Sequence, residues 1–130
     1  MQLCKQPTNG ISYFTALLDF SQLPADLNIY VPLFCSVLTE VGAGDLSYRE
    51  FAQQTELCAG EFSSSTSLVI NHSDVSQFNR SALLRSFSLE RNTDKMFDLW
   101  TKLFNEPRLQ DKDRLKTLIL NVSGLLIGFL

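Results

Sequence analysis

The residues IYVPLFCSVLTEVGAGDLSYREFAQQTELCAGEF, 29 to 62, constrain the fold more than any other stretch. They hold two helical patterns separated by a glycine turn and followed at once by a strand pattern. In the first, Tyr30, Leu33, Phe34, Val37, Leu38 and Val41 keep the i, i+3, i+4, i+7 spacing that gives a helix one apolar face. This predicts a helix from about Ile29 to Val41. Pro32 falls in its first turn, where a missing N–H has no helical partner to lose. Gly42 and Gly44 are expected to close it. The second helix opens on Ser47-Tyr-Arg-Glu50, in which a hydroxyl and a carboxylate each accept a free backbone N–H. Its inner stripe reads Phe51, Ala52, Thr55 and Cys58, with Gly60 just past its end. The short turn between them predicts an antiparallel helix pair.

Around this hairpin the remaining elements fall into place. Pro7, Asn9 and Gly10 signal a turn. ISYFTALLDF then alternates, with Phe14, Ala16, Leu18 and Phe20 on one face of a strand. SQLPADLN is read as a connector, EFSSSTSLVIN as a second strand and HSDVSQFN as a loop. RSALLRSFSLE is a third strand, setting Leu83, Arg85, Phe87 and Leu89 against Ala82, Leu84, Ser86 and Ser88. Asn92 is placed to cap a third helix, whose face is Met96, Phe97, Trp100, Leu103 and Phe104, and Pro107 stops it. Asp111 to the end forms a fourth, with Leu115, Leu118, Ile119 and Val122 on one side. The order strand, helix, helix, strand, strand, helix, helix predicts an α+β fold. A largely antiparallel sheet would carry its helices packed on one face. No repeat or low-complexity linker divides the chain.

At 130 residues the chain is one domain in size, long enough to bury roughly two-thirds of its unfolded surface. Hydrophobic residues at 45% against 19% charged place it with globular rather than disordered chains. The net charge of -3 is spread along the chain, so no basic patch points to nucleic acid. Three widely spaced cysteines, Cys4, Cys35 and Cys58, make no disulfide framework; Cys35 and Cys58 read as buried thiols in a reducing compartment. Sequons at Asn71, Asn79 and Asn121 stand without a signal peptide and are read as chance. TLILNVSGLLIGFL is strongly apolar, yet shorter than the roughly 20 residues of a membrane span. It is expected to be a helix that something else buries.

Catalytic chemistry finds little support. A zinc site needs three or four converging ligands, and His72 is the only histidine. It is also the only usual base for a serine or cysteine nucleophile, and no Cys-x-x-Cys, nucleophile elbow or phosphate loop occurs. VGAGD follows a helix, not a strand, so it reads as a C-cap turn. Glu40, Asp45 and Glu50 read as solvated surface acids, and Trp100 and Phe104 as core.

The run from QPTNG through YVPLFCSVLTEVG and DLSYREFAQQTELCAGEFS, continued by FSLERNTDKMFDLWTKLFNEPRLQDKDRLKTLI, resembles the presequence protease family. That family lies within the pitrilysin-type zinc metallopeptidases. The likeness covers about Gln6 to Val122 and departs over 124–130, GLLIGFL. It implies a pitrilysin-type (LuxS/MPP-like) metallohydrolase domain, incomplete at its C-terminus. The whole of 1–130 would be a partial copy of the third, non-zinc-binding domain. In such enzymes four similar domains form two bowl-shaped halves around a peptide-filled chamber. Zinc sits in the first domain, on an inverted H-x-x-E-H helix and a distant glutamate. With Gly42 as anchor, Leu33, Ser36 and Val37 fall where His, Glu and His would be. No catalytic, cofactor-binding or metal residue is therefore carried over to this chain.

By this resemblance the segment is chamber wall in a mitochondrial matrix zinc metalloendopeptidase. Such enzymes degrade targeting presequences and other short unstructured peptides, with zinc in the full-length enzyme and none on this chain. The expected partners are the rest of the same polypeptide and peptide substrates, with no nucleic acid and no membrane. The alternative is a non-enzymatic interaction protein that packs on a full-length peptidase or binds extended peptides.

Overall fold

The computed structural model describes residues 2–71 and 74–128, with side chains described outside 69–79 and 125–128. Its elements are β1 (Ile11–Asp19), α1 (Ala25–Asn28), α2 (Val31–Leu38), α3 (Tyr48–Cys58), β2 (Glu61–Asn71), β3 (Asp74–Leu89), α4 (Thr93–Asn105) and α5 (Lys112–Gly128). A 3₁₀ turn, Glu90–Asn92, leads into α4. The three strands form one antiparallel sheet in the order β1-β3-β2. The chain is therefore α+β.

Strand alternation decides which face of the sheet the helices cover. Phe14, Ala16 and Leu18 lie beside Ser86, Leu84 and Ala82 of β3, which in turn lie beside Phe62, Ser64 and Thr66 of β2. These rows meet a core of Val37, Leu38, Val41, Phe51, Met96, Leu99, Trp100 and Leu103. A smaller cluster of Val31, Cys35 and Ala82 continues it under Leu18, Phe20 and Leu23. Tyr13 and Leu17 stand on the opposite, exposed face. In the core centre Trp100 stacks on Phe62 at 3.9 Å and donates its indole N–H to Ser86 Oγ at 2.9 Å.

Several expectations need correction. The first helix is shorter than its pattern: α2 ends at Leu38, four residues before Gly42, and its cap residue Thr39 stays right-handed. The connector before it holds the extra short helix α1. Its inner face is Val31, Cys35, Val37 and Leu38, while Tyr30 and Phe34 turn outward, at 57% and 36% exposed. Only Ser36 is polar in VPLFCSVL, so hydropathy is nearly uniform around this helix and does not select a face. Nor do α2 and α3 form a tight pair. α2 lies mainly against β2 and α5, and α3 against α4 and β2.

The loop between them explains the separation. Ala43 bridges to Leu46 and to Pro107, Gly44 N–H donates to Glu106 O at 2.8 Å, and Arg108 N–H donates to Gly42 O at 2.9 Å. The VGAGD turn is thus stitched to the α4–α5 connection. Gly44 has φ +57°, a left-handed conformation that favours glycine.

Further corrections concern the later elements. Residues 74–79, read as loop, continue β3 and pair with the end of β2; His72 lies outside the described residues. On α3, Phe51 and Cys58 are buried but Ala52 is exposed. Gly60 follows the helix as expected, yet its reason is space: a Cβ there would lie 2.0 Å from the Phe87 ring. Asn92 occupies the N-cap of α4 without a side-chain cap bond. Leu99 joins the buried face of α4, whereas Phe97 and Phe104 are partly exposed at its margins. On α5, Leu118 is buried and Ile119 is exposed.

The capping box is formed. Glu50 N–H donates to Ser47 Oγ, and Ser47 N–H donates to the Glu50 carboxylate at 2.8 Å. Replacing Ser47 by alanine is expected to cost about 1 kcal/mol, measured by urea unfolding. Hydrogen bonding to Ser47, its side chain first, holds the Glu50 carboxyl below the usual carboxylate range. Its stabilising contribution is thus present above the ordinary glutamate pKa and fades as pH falls through the lowered value. The Ser47→Ala chain should accordingly lose less stability on acidification than the parent does.

Candidate functional site

The place to look for chemistry is the helix whose pattern stands in the position of a metal-binding helix. Leu33 packs against the main core, and Val37 belongs to it, 5% exposed. Ser36 faces outward, and its hydroxyl donates to Pro32 O at 2.9 Å. The i, i+4 pair that would carry two histidines therefore points into packed hydrocarbon. Neither side chain has a lone pair to offer a metal. Among the described residues no group of three His, Cys, Asp or Glu is placed to hold a metal ion.

The remaining candidates are scattered. Cys4 is exposed, and Cys35 and Cys58 are buried. Burial pushes the Cys35 thiol above its ordinary range, with the nearby Ser64 and Thr66 hydroxyls opposing it less strongly, so Cys35 is a poor nucleophile at neutral pH. Asn121 is exposed on α5, while the side chains of Asn71 and Asn79 lie outside the described set. Lys102, hydrogen-bonded to Asp45 at 3.0 Å, lowers that carboxyl's pKa. Asp45 and Glu50 are thus shifted away from the range a general acid requires. Trp100 is buried, and Phe104 stacks on it at 5.7 Å while remaining partly exposed. No described helix is long and apolar enough to cross a membrane.

One concave feature has polar character. A cleft of about 550 Å³ lies between α3, the first residues of β2 and the end of α2. Arg114 closes one side, with its guanidinium 4.0 Å from the Tyr48 ring centroid. It donates from Nε to Glu40 O at 3.0 Å and from an amino nitrogen to the Glu40 carboxylate at 3.3 Å. Arg49 donates from Nε to Tyr48 Oη at 3.0 Å. Glu56, Glu61 and Phe62 complete the mouth. Sequence reading missed this group, since Glu40 and Arg114 are 74 positions apart and no local motif joins them.

An α+β scaffold with this hairpin, and with apolar residues where a metal-binding helix carries its ligands, is that of a peptidase-associated domain. The peptidase-associated family of metallopeptidase family 16, subfamily C, matches residues 1–125, and the chain belongs to that family. Similar proteins are the mitochondrial presequence proteases of Danio rerio, 47% identical over 120 residues, and Mus musculus, 43% over 119. Each alignment takes in 92% of this chain. That of Drosophila melanogaster is 33% identical over 128 residues, 98% of this chain. The chain spans only about 12% of the length of these relatives.

Proposed function

We propose that this chain is one wall of the peptide chamber of a mitochondrial presequence protease. It would correspond to that enzyme's third, non-zinc-binding domain, with a partial pitrilysin-type fold. The parent would be a matrix zinc metalloendopeptidase acting on targeting presequences and other short unstructured peptides. Zinc and the catalytic groups would sit in another domain of the same polypeptide, and this segment would contribute architecture.

The observation behind this reading is the packing of Leu33 and Val37 into the core, at the turn of helix where a zinc peptidase would expose its ligands. Similarity to presequence proteases over nearly the whole chain supports the parent enzyme. Metal analysis tests it. The purified chain, dialysed against buffered zinc, should retain no stoichiometric zinc. One tightly held zinc per chain would overturn the assignment.

A further inference from the structure

We infer that the outer edge of β2, together with the Glu56–Glu61 mouth of the adjoining cleft, is a binding site for an extended basic peptide segment. The inference is independent of the protease reading, since it uses only groups on this chain.

The first observation is the edge. Among the described residues β2 pairs only with β3, so its outer rim carries backbone N–H and C=O groups without a strand partner. Such a rim is a template for an added strand. Its central run, Ser63-Ser64-Ser65-Thr66-Ser67, has no proline and no charge to repel an incoming backbone.

The second observation is the cleft at one end of that rim, and it decides the chemistry of the occupant. Two of its five charged residues are arginines, and both are engaged. Arg114 is held by Glu40 and the Tyr48 ring, and Arg49 by the Tyr48 hydroxyl. Glu56 and Glu61 are exposed, and among the described residues neither has an ion-pair partner. Glu61 accepts the Ser63 hydroxyl, at 2.7 Å. The uncompensated charge at the mouth is therefore negative, beside the half-buried ring of Phe62. An arginine side chain from a strand lying along β2 would place its stem on that ring and its guanidinium between the two carboxylates. The edge calls for an extended backbone, and the mouth calls for a cation.

The test is fluorescence anisotropy of the full chain with a labelled decapeptide of alternating arginine and threonine. Three companion measurements locate the site. A peptide N-methylated on alternate residues cannot pair along an edge, and a glutamate-for-arginine peptide carries the wrong charge; both should fail to bind. The Glu56→Gln/Glu61→Gln chain, altered only at exposed positions, should bind the basic peptide about fivefold more weakly. Its circular dichroism should match the parent. Four outcomes would each overturn the inference: no binding by the parent chain, equal binding of the N-methylated peptide, unchanged affinity of the double variant, or dimerisation that excludes peptide.

Discussion

Replacing Trp100 by alanine is expected to remove about 3–5 kcal/mol of folding stability. This would be a large part of the roughly 5–15 kcal/mol typical of a whole domain. Trp100 is 3% exposed and lies between Phe62 and Phe104, with Phe14 tilted against it at 6.1 Å. Alanine would empty the space that holds the sheet to α4. It would also strand Ser86, 2% exposed, whose hydroxyl receives the indole N–H. An orphaned buried hydroxyl adds a cost of about 1–3 kcal/mol that hydrocarbon removal alone does not carry. Urea unfolding followed by far-ultraviolet circular dichroism gives the comparison. Trp100→Phe should fall between parent and alanine, because it keeps a ring and loses the hydrogen bond. A loss below about 1 kcal/mol for alanine would be the size of an ordinary surface change, and Trp100 would not be the centre of this core.

The second large effect is expected at Gly42. A Cβ built there lies 2.4 Å from Leu46 O and 2.9 Å from Ser47 C and Tyr48 N. These are backbone atoms, and the last two belong to the start of α3. They cannot retreat without moving the capping box. Gly42→Ala should therefore destabilise by about 1–3 kcal/mol or more, as overpacking does in a closed site. Gly124→Ala provides the opposite sign within the same chain. Nothing lies within 4 Å of its added Cβ, and alanine in a helix is favoured over glycine by up to about 1 kcal/mol. Thermal melts of the two variants should move in opposite directions. A neutral Gly42→Ala would mean that the loop stands well clear of α3.

What could be read from the sequence depended on whether the signal was local. Ser47 and Glu50 are three residues apart and satisfy one another, so the start of α3 was legible from four letters. The alternating faces of β1 and of residues 80–89 were equally plain, because polar and apolar residues change places at every step. On α2 the pattern failed for a physical reason: with one polar residue in eight, the sheet rather than hydropathy chooses which side is buried. Residues 74–79 failed for the converse reason, since polar residues extend a hairpin through backbone pairing that composition does not reveal. The cleft was invisible because Arg114 approaches Glu40 and Tyr48 only after α5 has folded back. The family, by contrast, was legible over most of the chain, and it carried no site residue with it.

The sharpest experiment is cleavage of a quenched fluorescent presequence-like peptide by the purified chain, with and without a chelator. No turnover above buffer is expected in either condition, because the side chains of Leu33 and Val37 are hydrocarbon packed against a core. Turnover abolished by the chelator and restored by zinc would contradict a purely architectural role.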